Sequence, residues 1–312
     1  MTKEQKGYLY IILFEIVAGF ASFSIKNINT AFPASLLVLT RFTIASAFFG
    51  ILILWRKEYR REVSNINKKQ MVGLFYLGAI GSGIVTIIYV GAVRLIGITL
   101  STLIENLEIP FGIILAVLFL GERLTARFMA IASIILAGFY LLIFRGNISI
   151  LPGYSFLYGV FLALLSGIIW ASATLAGKKL LNDRVSIIMV SFFRNLFGMA
   201  AGLAVALVSV RGILSAYEVL SVKDWILLFY LGFGVSGIGF IVYYEALKDV
   251  EVKKISLFFV MSTLISVLLG VWSGEMLSLA QWIGAGAILV GIAMLLKTPN
   301  KTVILEEKNL GS

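Results

Sequence analysis

The sequence contains no cysteine and no histidine, and only four of its 312 residues are proline. Without thiols or imidazoles it cannot form disulfides, thiolate nucleophiles, haem ligands or zinc sites of the usual kind. Aspartate occurs only at Asp183, Asp224 and Asp249, which is too few for a metal-dependent diphosphate enzyme of the membrane. We therefore expect no metal site, no cofactor and no enzymatic activity.

Charged residues are also scarce, at 13% of the chain against 60% hydrophobic residues. A soluble domain has about 25% and about 45–50%, respectively. The mean hydropathy is +1.01, and a soluble core of this length could not bury so much apolar surface. The composition predicts a multi-spanning protein of the lipid bilayer. The net charge of +10 is no sign of nucleic-acid binding, because the basic residues lie between hydrophobic runs.

A window of about 20 residues, the length that crosses the hydrocarbon core, finds ten apolar runs. Their continuous hydrophobicity favours α-helices over the alternating strands of a barrel. We predict an all-α integral membrane protein with spans at 8–26, 34–55, 71–93, 98–120, 126–144, 156–178, 185–209, 225–247, 253–273 and 278–296.

Lysine and arginine are divided unequally between the two sides of the membrane. Nineteen lie on the side that holds both ends of the chain, and five lie on the other side. Positively charged connections remain in the cytoplasm. The count predicts that both termini are cytoplasmic and that the protein spans the cytoplasmic (inner or plasma) membrane.

The second half of the chain repeats the first. Residues 75–89 and 229–243 share nine identities in fifteen positions at an offset of 154. Further matches at an offset of 153 are Arg41 with Arg194, Gly121-Glu122 with Gly274-Glu275, and Gly138 with Gly291.

This repeat predicts the domain organisation. We expect a first five-helix repeat (1–145), a linker (146–155), a second repeat (156–296) and a polar cytoplasmic tail (297–312). Five is an odd number, so the second copy enters the membrane from the opposite face. Two inverted repeats around a central cavity are typical of alternating-access carriers, which hold their substrate near the midplane.

Three motifs carry a resemblance to a known family. Arg41-Phe42 lies in the second predicted span, and Glu108-Ile109-Pro110 precedes Leu120-Gly121-Glu122-Arg123-Leu124-Thr125 in and after the fourth. In this order they resemble the drug/metabolite transporter superfamily, EamA type. The resemblance implies that spans 1–4 and 6–9 surround a central cavity while spans 5 and 10 are more peripheral. It also implies transport of small metabolites, commonly amino acids and related amines, often outward.

Carboxylates inside predicted spans are candidate substrate ligands, because each costs about 2.5–3.5 kcal/mol at the centre of a membrane helix. Glu105 and Glu108 share one face of the fourth span, with Asn106 beside them, and Glu15 lies in the first. Pro110 frees a backbone carbonyl one turn earlier. These groups predict a site for a cationic or zwitterionic amine.

A structural role for the same charges competes with this hypothesis. Arg41 and Arg194 are also intramembrane, and pairing with an acid would neutralise both partners without any substrate. We assign both arginines to charge pairing, Pro110 to a structural role in the fourth span, and Glu122 and Glu275 to structural roles at span ends. Glu245, close to Lys248, is interpreted as an interfacial charge.

Aromatic rings complete the predicted site. Tyr89 and Tyr243 are equivalent in the repeat, and Trp170 lies on the sixth predicted span. Their faces attract an ammonium group or stack on a flat molecule. We predict that these three rings contact the substrate.

Two further motifs bear on energy coupling. Gly232, Gly234 and Gly237 have the spacing of a dinucleotide-binding fingerprint, but they lie inside a membrane span, and no Walker motif is present. We therefore expect no nucleotide as a partner. With no histidine to titrate near neutral pH, carboxylates are the candidates for coupling to protons.

The sequence thus predicts a secondary transporter that moves a small polar metabolite, an amino acid or amine, outward by alternating access. One alternative is uptake of a cationic nutrient such as a quaternary amine, which the surplus of intramembrane acids would suit. The other is a membrane protein that is not a carrier, such as a channel-like or signalling protein.

Overall fold

A computed structural model describes residues 3–107, 126–145, 153–250 and 252–296. Within these ranges the chain forms helices and no strand. The prediction of an all-α protein is therefore confirmed. The α-helices are α1 (Lys3–Gly19), α2 (Ala21–Asn27), α3 (Ala34–Trp55), α4 (Lys57–Asn65), α5 (Lys68–Phe75), α6 (Val85–Glu105), α7 (Ala126–Phe144), α8 (Tyr154–Asn182), α9 (Ile187–Ser209), α10 (Val222–Phe229), α11 (Phe240–Asp249), α12 (Val252–Trp272) and α13 (Leu279–Leu296).

Many of these helices are long and apolar enough to cross a membrane, as an integral membrane protein requires. Six helical stretches of the described ranges meet both criteria, namely Gln5–Asn27, Ala34–Trp55, Lys68–Glu105, Tyr154–Asn182, Ile187–Ser209 and Val222–Asp249. Shorter apolar helices cover Met129–Phe144, Met261–Trp272 and Leu279–Met294. The fourth predicted span, 98–120, is described only as far as residue 107.

The third and fourth predicted spans are separated by a break at Gly97, where φ is +85°. Glycine adopts this conformation without a steric penalty because it has no Cβ. A Cβ at this position would also lie 2.5 Å from the Oε1 atom of Glu275. The backbone therefore turns between two helical segments at the position where the hydropathy pattern placed a connection.

Glu275 caps the helical segment that follows this break. Its carboxylate accepts hydrogen bonds from the amides of Ile98, at 2.6 Å, and Thr99, at 2.9 Å, and from the Lys26 ammonium at 2.7 Å. Burial raises the pKa of Glu275, but these hydrogen bonds outweigh it and hold the pKa below its ordinary value. The structural role that the sequence suggested for Glu275 agrees with these contacts.

Two π-helices occupy equivalent positions in the repeat. They span Tyr76–Ile84 and Tyr230–Gly239, and both lie inside the glycine-rich segments that match at an offset of 154. π-helices are rare and often mark functional positions. The sequence repeat therefore extends to an unusual backbone conformation, which hydropathy did not predict.

The described residues divide into two compact units. In the larger unit, which includes residues 3–107 and 153–276, helices of the two sequence repeats pack directly on one another. Helix α6 of the first repeat packs on α8 of the second, α3 packs on α9 and on the second π-helix, and α1 packs on α11 and α12. The repeats are thus interleaved in space although they are consecutive in sequence.

The smaller unit contains α7 and α13, which pack along each other. A Cβ at Gly138 would lie 2.7 Å from the carbonyl oxygen of Gly284, and one at Gly284 would lie 2.6 Å from that of Gly138. A Cβ at Gly291, the repeat partner of Gly138, would lie 2.5 Å from the side chain of Ile135. Small residues at these positions let the two backbones approach closely, as in many membrane helix pairs.

Candidate functional site

A cavity of about 200 Å³ lies within the larger unit. Helices of both repeats contribute to its wall. Its polar and charged lining residues are Glu15, Ser22, Arg41, Thr86, Thr102, Glu105, Asn106, Thr174, Arg194, Ser262, Thr263 and Ser266, and its aromatic ones are Phe14, Tyr89, Trp170, Phe240, Tyr243, Tyr244 and Phe259.

Two of the predicted carboxylates reach this cavity from different helices. Glu15 lies on α1 beside Ser262 of α12, with 1% of its surface exposed. Its Oε1 atom has no hydrogen-bond partner among the described residues. Glu105, at the end of α6, lies close enough to Tyr89 to interact with it electrostatically. The cavity wall therefore holds acidic groups on its α1 and α6 sides.

Asn106 joins two walls of the cavity. Its side-chain amide donates hydrogen bonds to the backbone oxygen of Thr102, at 2.8 Å, and to the hydroxyl of Thr263 on α12. Thr263 is the residue that replaces Pro110 in the second repeat. Asn106 is thus both a cavity residue and a contact between α12 and the end of α6.

The predicted aromatic residues also meet at the cavity. The rings of Tyr89 and Trp170 are 5.0 Å apart in an edge-to-face arrangement. The Tyr89 hydroxyl lies 2.8 Å from that of Ser22 on α2 and 3.1 Å from that of Thr102, which follows the Gly97 break in α6, so two helices orient it. A buried tyrosine held by two hydroxyls keeps one fixed ring edge toward the cavity.

Tyr243, on the second repeat, belongs to a second aromatic group that includes residues of both repeats. Its ring centroid lies 5.0 Å from that of Phe14, 5.6 Å from that of Phe240 and 5.3 Å from that of Tyr244. Its hydroxyl donates to that of Thr174 at 3.3 Å. The repeat-related tyrosines therefore both line the cavity, each among different neighbours.

Arg41 and Arg194 line the same cavity, and both are at least nine-tenths buried. The Nε atom of Arg41 donates to the hydroxyl of Ser236 at 2.6 Å, and the guanidinium of Arg194 lies 3.3 Å from the ring centre of Phe240. Neither arginine forms a salt bridge with a carboxylate in the part of the chain that the structure describes. The sequence assigned them to charge pairing; these contacts are instead with a hydroxyl and a ring.

Two predicted site residues, Glu108 and Pro110, lie outside the described residues, as does Glu122. Several polar cavity residues were not singled out from the sequence. They are hydroxyl-bearing side chains with no hydropathy signal of their own, namely Ser22, Thr86, Thr102, Thr174, Ser262, Thr263 and Ser266. A helical projection aligned on Glu15 and Tyr89 would have placed Ser22 and Thr86 on the same faces.

A helical bundle with a charged, ring-lined cavity, to which both repeats contribute, is typical of membrane transporters. The model of the EamA-like transporter family matches residues 5–144 and again residues 157–297. The chain therefore belongs to the EamA-like transporter family, and each sequence repeat corresponds to one copy of the family unit. The predicted resemblance is confirmed.

Individual relatives agree with this assignment. The uncharacterized transporter YyaM of Bacillus subtilis is 21% identical over 292 residues, which cover 93% of this chain and 93% of its own. An uncharacterized transporter of Archaeoglobus fulgidus is 25% identical over 298 residues, or 94% of this chain and 99% of its own. The riboflavin transporter ImpX of Fusobacterium nucleatum is 28% identical over 194 residues, or 59% of this chain and 62% of its own.

A solved crystal structure of a protein 22% identical in sequence has the same fold. It matches with a TM-score of 0.62 and covers 94% of this chain and 97% of its own. At this level of identity the likeness concerns the arrangement of the helices alone.

Proposed function

We propose that this transporter is a secondary carrier that moves a small metabolite with an amino group, an amino acid or an amine, outward by alternating access. The observation that carries the proposal is Glu15, a carboxylate almost without solvent exposure that belongs to the wall of a ring-lined cavity. Ser262 hydrogen-bonds to the carboxyl group, but the Oε1 atom of Glu15 has no hydrogen-bond partner among the described residues. A buried acid of this kind is costly unless a partner or a function compensates it. A substrate ammonium is a suitable partner.

The surrounding rings support the same substrate class. Tyr89 and Trp170 form one side of the cavity, and Phe14 lies next to Glu15 in the chain. Ring faces attract ammonium groups by about 0.5–2 kcal/mol each, and the gain is larger where water is excluded. Carboxylate and rings together would select an amine over an uncharged molecule of equal size.

Counterflow in proteoliposomes tests the carrier mechanism. Vesicles that contain the purified protein are loaded with an unlabelled mixture of amino acids and amines, and uptake of the same compounds in labelled form is measured from outside. We expect saturable uptake that the internal load accelerates, whereas a channel gives no such acceleration. Absence of counterflow for the whole mixture contradicts the proposal.

Direction and coupling need separate measurements. Cells that express the protein are expected to retain less of the transported compound than cells without it, and higher retention would indicate uptake. An imposed pH gradient is expected to change the rate, because Glu15 and Glu105 are the described cavity groups that could exchange a proton with the substrate.

A flat polar heterocycle is a second candidate substrate. The relative ImpX is a riboflavin transporter, and Trp170 and Tyr89 form an edge-to-face pair at the cavity on which a ring system could stack. Counterflow of labelled riboflavin, run beside the amino acid mixture, separates the two candidates.

A further inference from the structure

Resting on the proposed function, we infer that Arg41 and Arg194 form an anion-binding subsite, so that the transported molecule carries a carboxylate or phosphate group as well as its amine. The two arginines are repeat equivalents, at an offset of 153, and lie on α3 and α9. Both side chains line the one cavity in which Glu15 lies.

Neither arginine forms an ion pair within the part of the chain that the structure describes. Arg41 is 7% exposed and Arg194 5%, and neither has a carboxylate within 4.0 Å among the described residues. Both side chains line the same cavity, so two like charges are buried around one space. Two guanidinium groups remain charged even when buried, so their proximity is unfavourable until an anion lies between them or beside them.

The guanidinium groups of both arginines have N–H donors that no described residue accepts from. Arg41 uses its Nε atom for Ser236, and the described contacts leave its terminal nitrogens to the cavity. The Nη1 atom of Arg194 is buried and has no hydrogen-bond partner in the described part of the chain. The fork of N–H groups that an arginine presents matches a carboxylate or phosphate in two-point geometry.

The backbones that carry the arginines are held by glycines of the opposite repeat. A Cβ at Gly78 would lie 2.9 Å from the carbonyl oxygen of Arg194, and one at its repeat partner Gly232 would lie 2.8 Å from that of Arg41. Each π-helix therefore packs against the backbone of one arginine. The two arginines are thus supported in the same way in both repeats. Such matching support would not be needed if the two charges were buried by accident.

The acids, in contrast, do not follow the repeat. The positions equivalent to Glu15 and Glu105 at the offset of 153 are Ile168 and Phe258. The cavity thus combines a symmetric pair of cations with carboxylates from the first repeat alone. An amphoteric substrate, anionic at one end and cationic at the other, satisfies both, whereas a quaternary amine leaves the arginines uncompensated.

Matched probes test the anion subsite by binding, independently of transport. The thermal stability of the purified protein is measured with alanine, leucine and phenylalanine, each beside its carboxamide and its des-amino acid, and with flavin mononucleotide beside riboflavin. We expect each amino acid or flavin mononucleotide that stabilises the protein to bind roughly tenfold or more tightly than the matched compound without the anionic group. The amino acid and flavin arms distinguish a carboxylate from a phosphate ligand.

Variants assign the preference to the arginines. Arg41→Gln and Arg194→Gln should each remove it, and Arg41→Lys and Arg194→Lys should keep part of it, since a lysine retains the charge but loses the fork. Arg94→Gln is the matched control, because Arg94 is partly buried on α6 but bonds the Phe32 backbone and does not line the cavity. The lysine variants also keep the test valid if a glutamine variant fails to fold.

In the binding experiment, three outcomes would overturn the inference: amides that stabilise the wild type as well as the acids, an anion preference that survives in both glutamine variants, or no stabilisation by any anion of the panel. Counterflow reports separately on the proposed function. Transport of an amine without an anionic group, unchanged in Arg41→Gln and Arg194→Gln, would reject the subsite and leave the carrier mechanism intact. Anion binding without counterflow would support the subsite and contradict the carrier mechanism.

Discussion

Glu15 is the more deeply buried of the two carboxylates on the described cavity wall, and its proposed role depends on its charge. A glutamine has nearly the same size but cannot balance an ammonium group. The folded protein should tolerate this change, since it removes a charge from a membrane helix. A substitution of Glu15 by glutamine therefore distinguishes a role in substrate binding from a role in folding.

Glu15→Gln is expected to weaken binding of amino-bearing substrates about tenfold or more, because a charge-assisted hydrogen bond is lost, while the melting temperature stays equal or rises. Substrate-dependent thermal stability and counterflow measure the two effects. The control is Glu58→Gln, an exposed residue of α4. Unchanged affinity in the Glu15 variant would remove this residue from the site.

Glu275 is the residue whose contribution should depend on pH. Its pKa is lowered in the folded protein, so its stabilising effect is fully present above its ordinary value of about 4.5 and is lost as the pH falls through the lowered value. Because Lys26 is 37% exposed, the ion pair itself should contribute less than about 1 kcal/mol. Capping of the segment after Gly97 should add a similar amount.

We expect Glu275→Gln to lower the melting temperature at neutral pH and to have little effect once the pH is below the lowered pKa of Glu275. Lys26→Met should lower it less, since the two amide contacts to Ile98 and Thr99 remain. Thermal unfolding in detergent at several pH values measures both variants. Equal losses at neutral and acidic pH would show that the carboxylate charge is not what stabilises this helix start.

At the scale of elements, each π-helix packs on the arginine-bearing helix of the other repeat. Their glycines allow a backbone approach that any side chain would prevent. A π-helix places one extra residue in each turn, which rotates the following side chains relative to a regular helix. Tyr89 and Tyr243 both follow a π-helix, so the conformation of this element decides whether they reach the cavity.

Gly78→Ala and Gly232→Ala are expected to destabilise the protein by about 1–3 kcal/mol each, because the added methyl groups overlap with backbone oxygens that cannot move easily. Gly286→Ala is the matched control, since nothing lies within 4 Å of a Cβ there and alanine favours a helix. Melting temperatures and yields of the three variants give the comparison. Losses of the same size in all three would mean that the π-helix contacts are not special.

At the scale of the whole molecule, contacts between connecting segments follow the predicted sides of the membrane. On the predicted outer side, Lys26 pairs with Glu275 and the Asn29 amide donates to Asp224. On the predicted cytoplasmic side, the Ser186 amide donates to Glu62. These contacts group the connections as the positive-inside count does, and which group is cytoplasmic stays a prediction.

Single cysteines can test that orientation because the chain has none of its own. Arg60→Cys and Arg211→Cys replace exposed residues at predicted cytoplasmic and outer connections, respectively. A membrane-impermeant maleimide should label Arg211→Cys in intact cells and Arg60→Cys only after permeabilisation. The opposite pattern would show that the predicted topology is inverted.

Patterns along the sequence were sufficient to predict the class of protein, its helices and its internal repeat. Hydropathy and helix length are local properties, and lipid leaves the backbone few alternatives to the helix. The repeat also indicated Tyr89 and Tyr243, and the cost of an intramembrane acid indicated Glu15 and Glu105. All four lie on the cavity wall; their contact with substrate stays a prediction.

Packing in three dimensions was needed to place the arginines, the hydroxyl groups of the wall and the π-helices. A charge in a membrane span must be compensated, but its partner is set by helices far away in the chain, so the residue types alone were equally compatible with an Arg–Glu pair. The structure instead places Arg41 against Ser236, 195 positions away, and Arg194 against Phe240. Interleaving of the repeats produces these neighbours, and helix-to-helix contacts of that range leave no periodic trace in sequence.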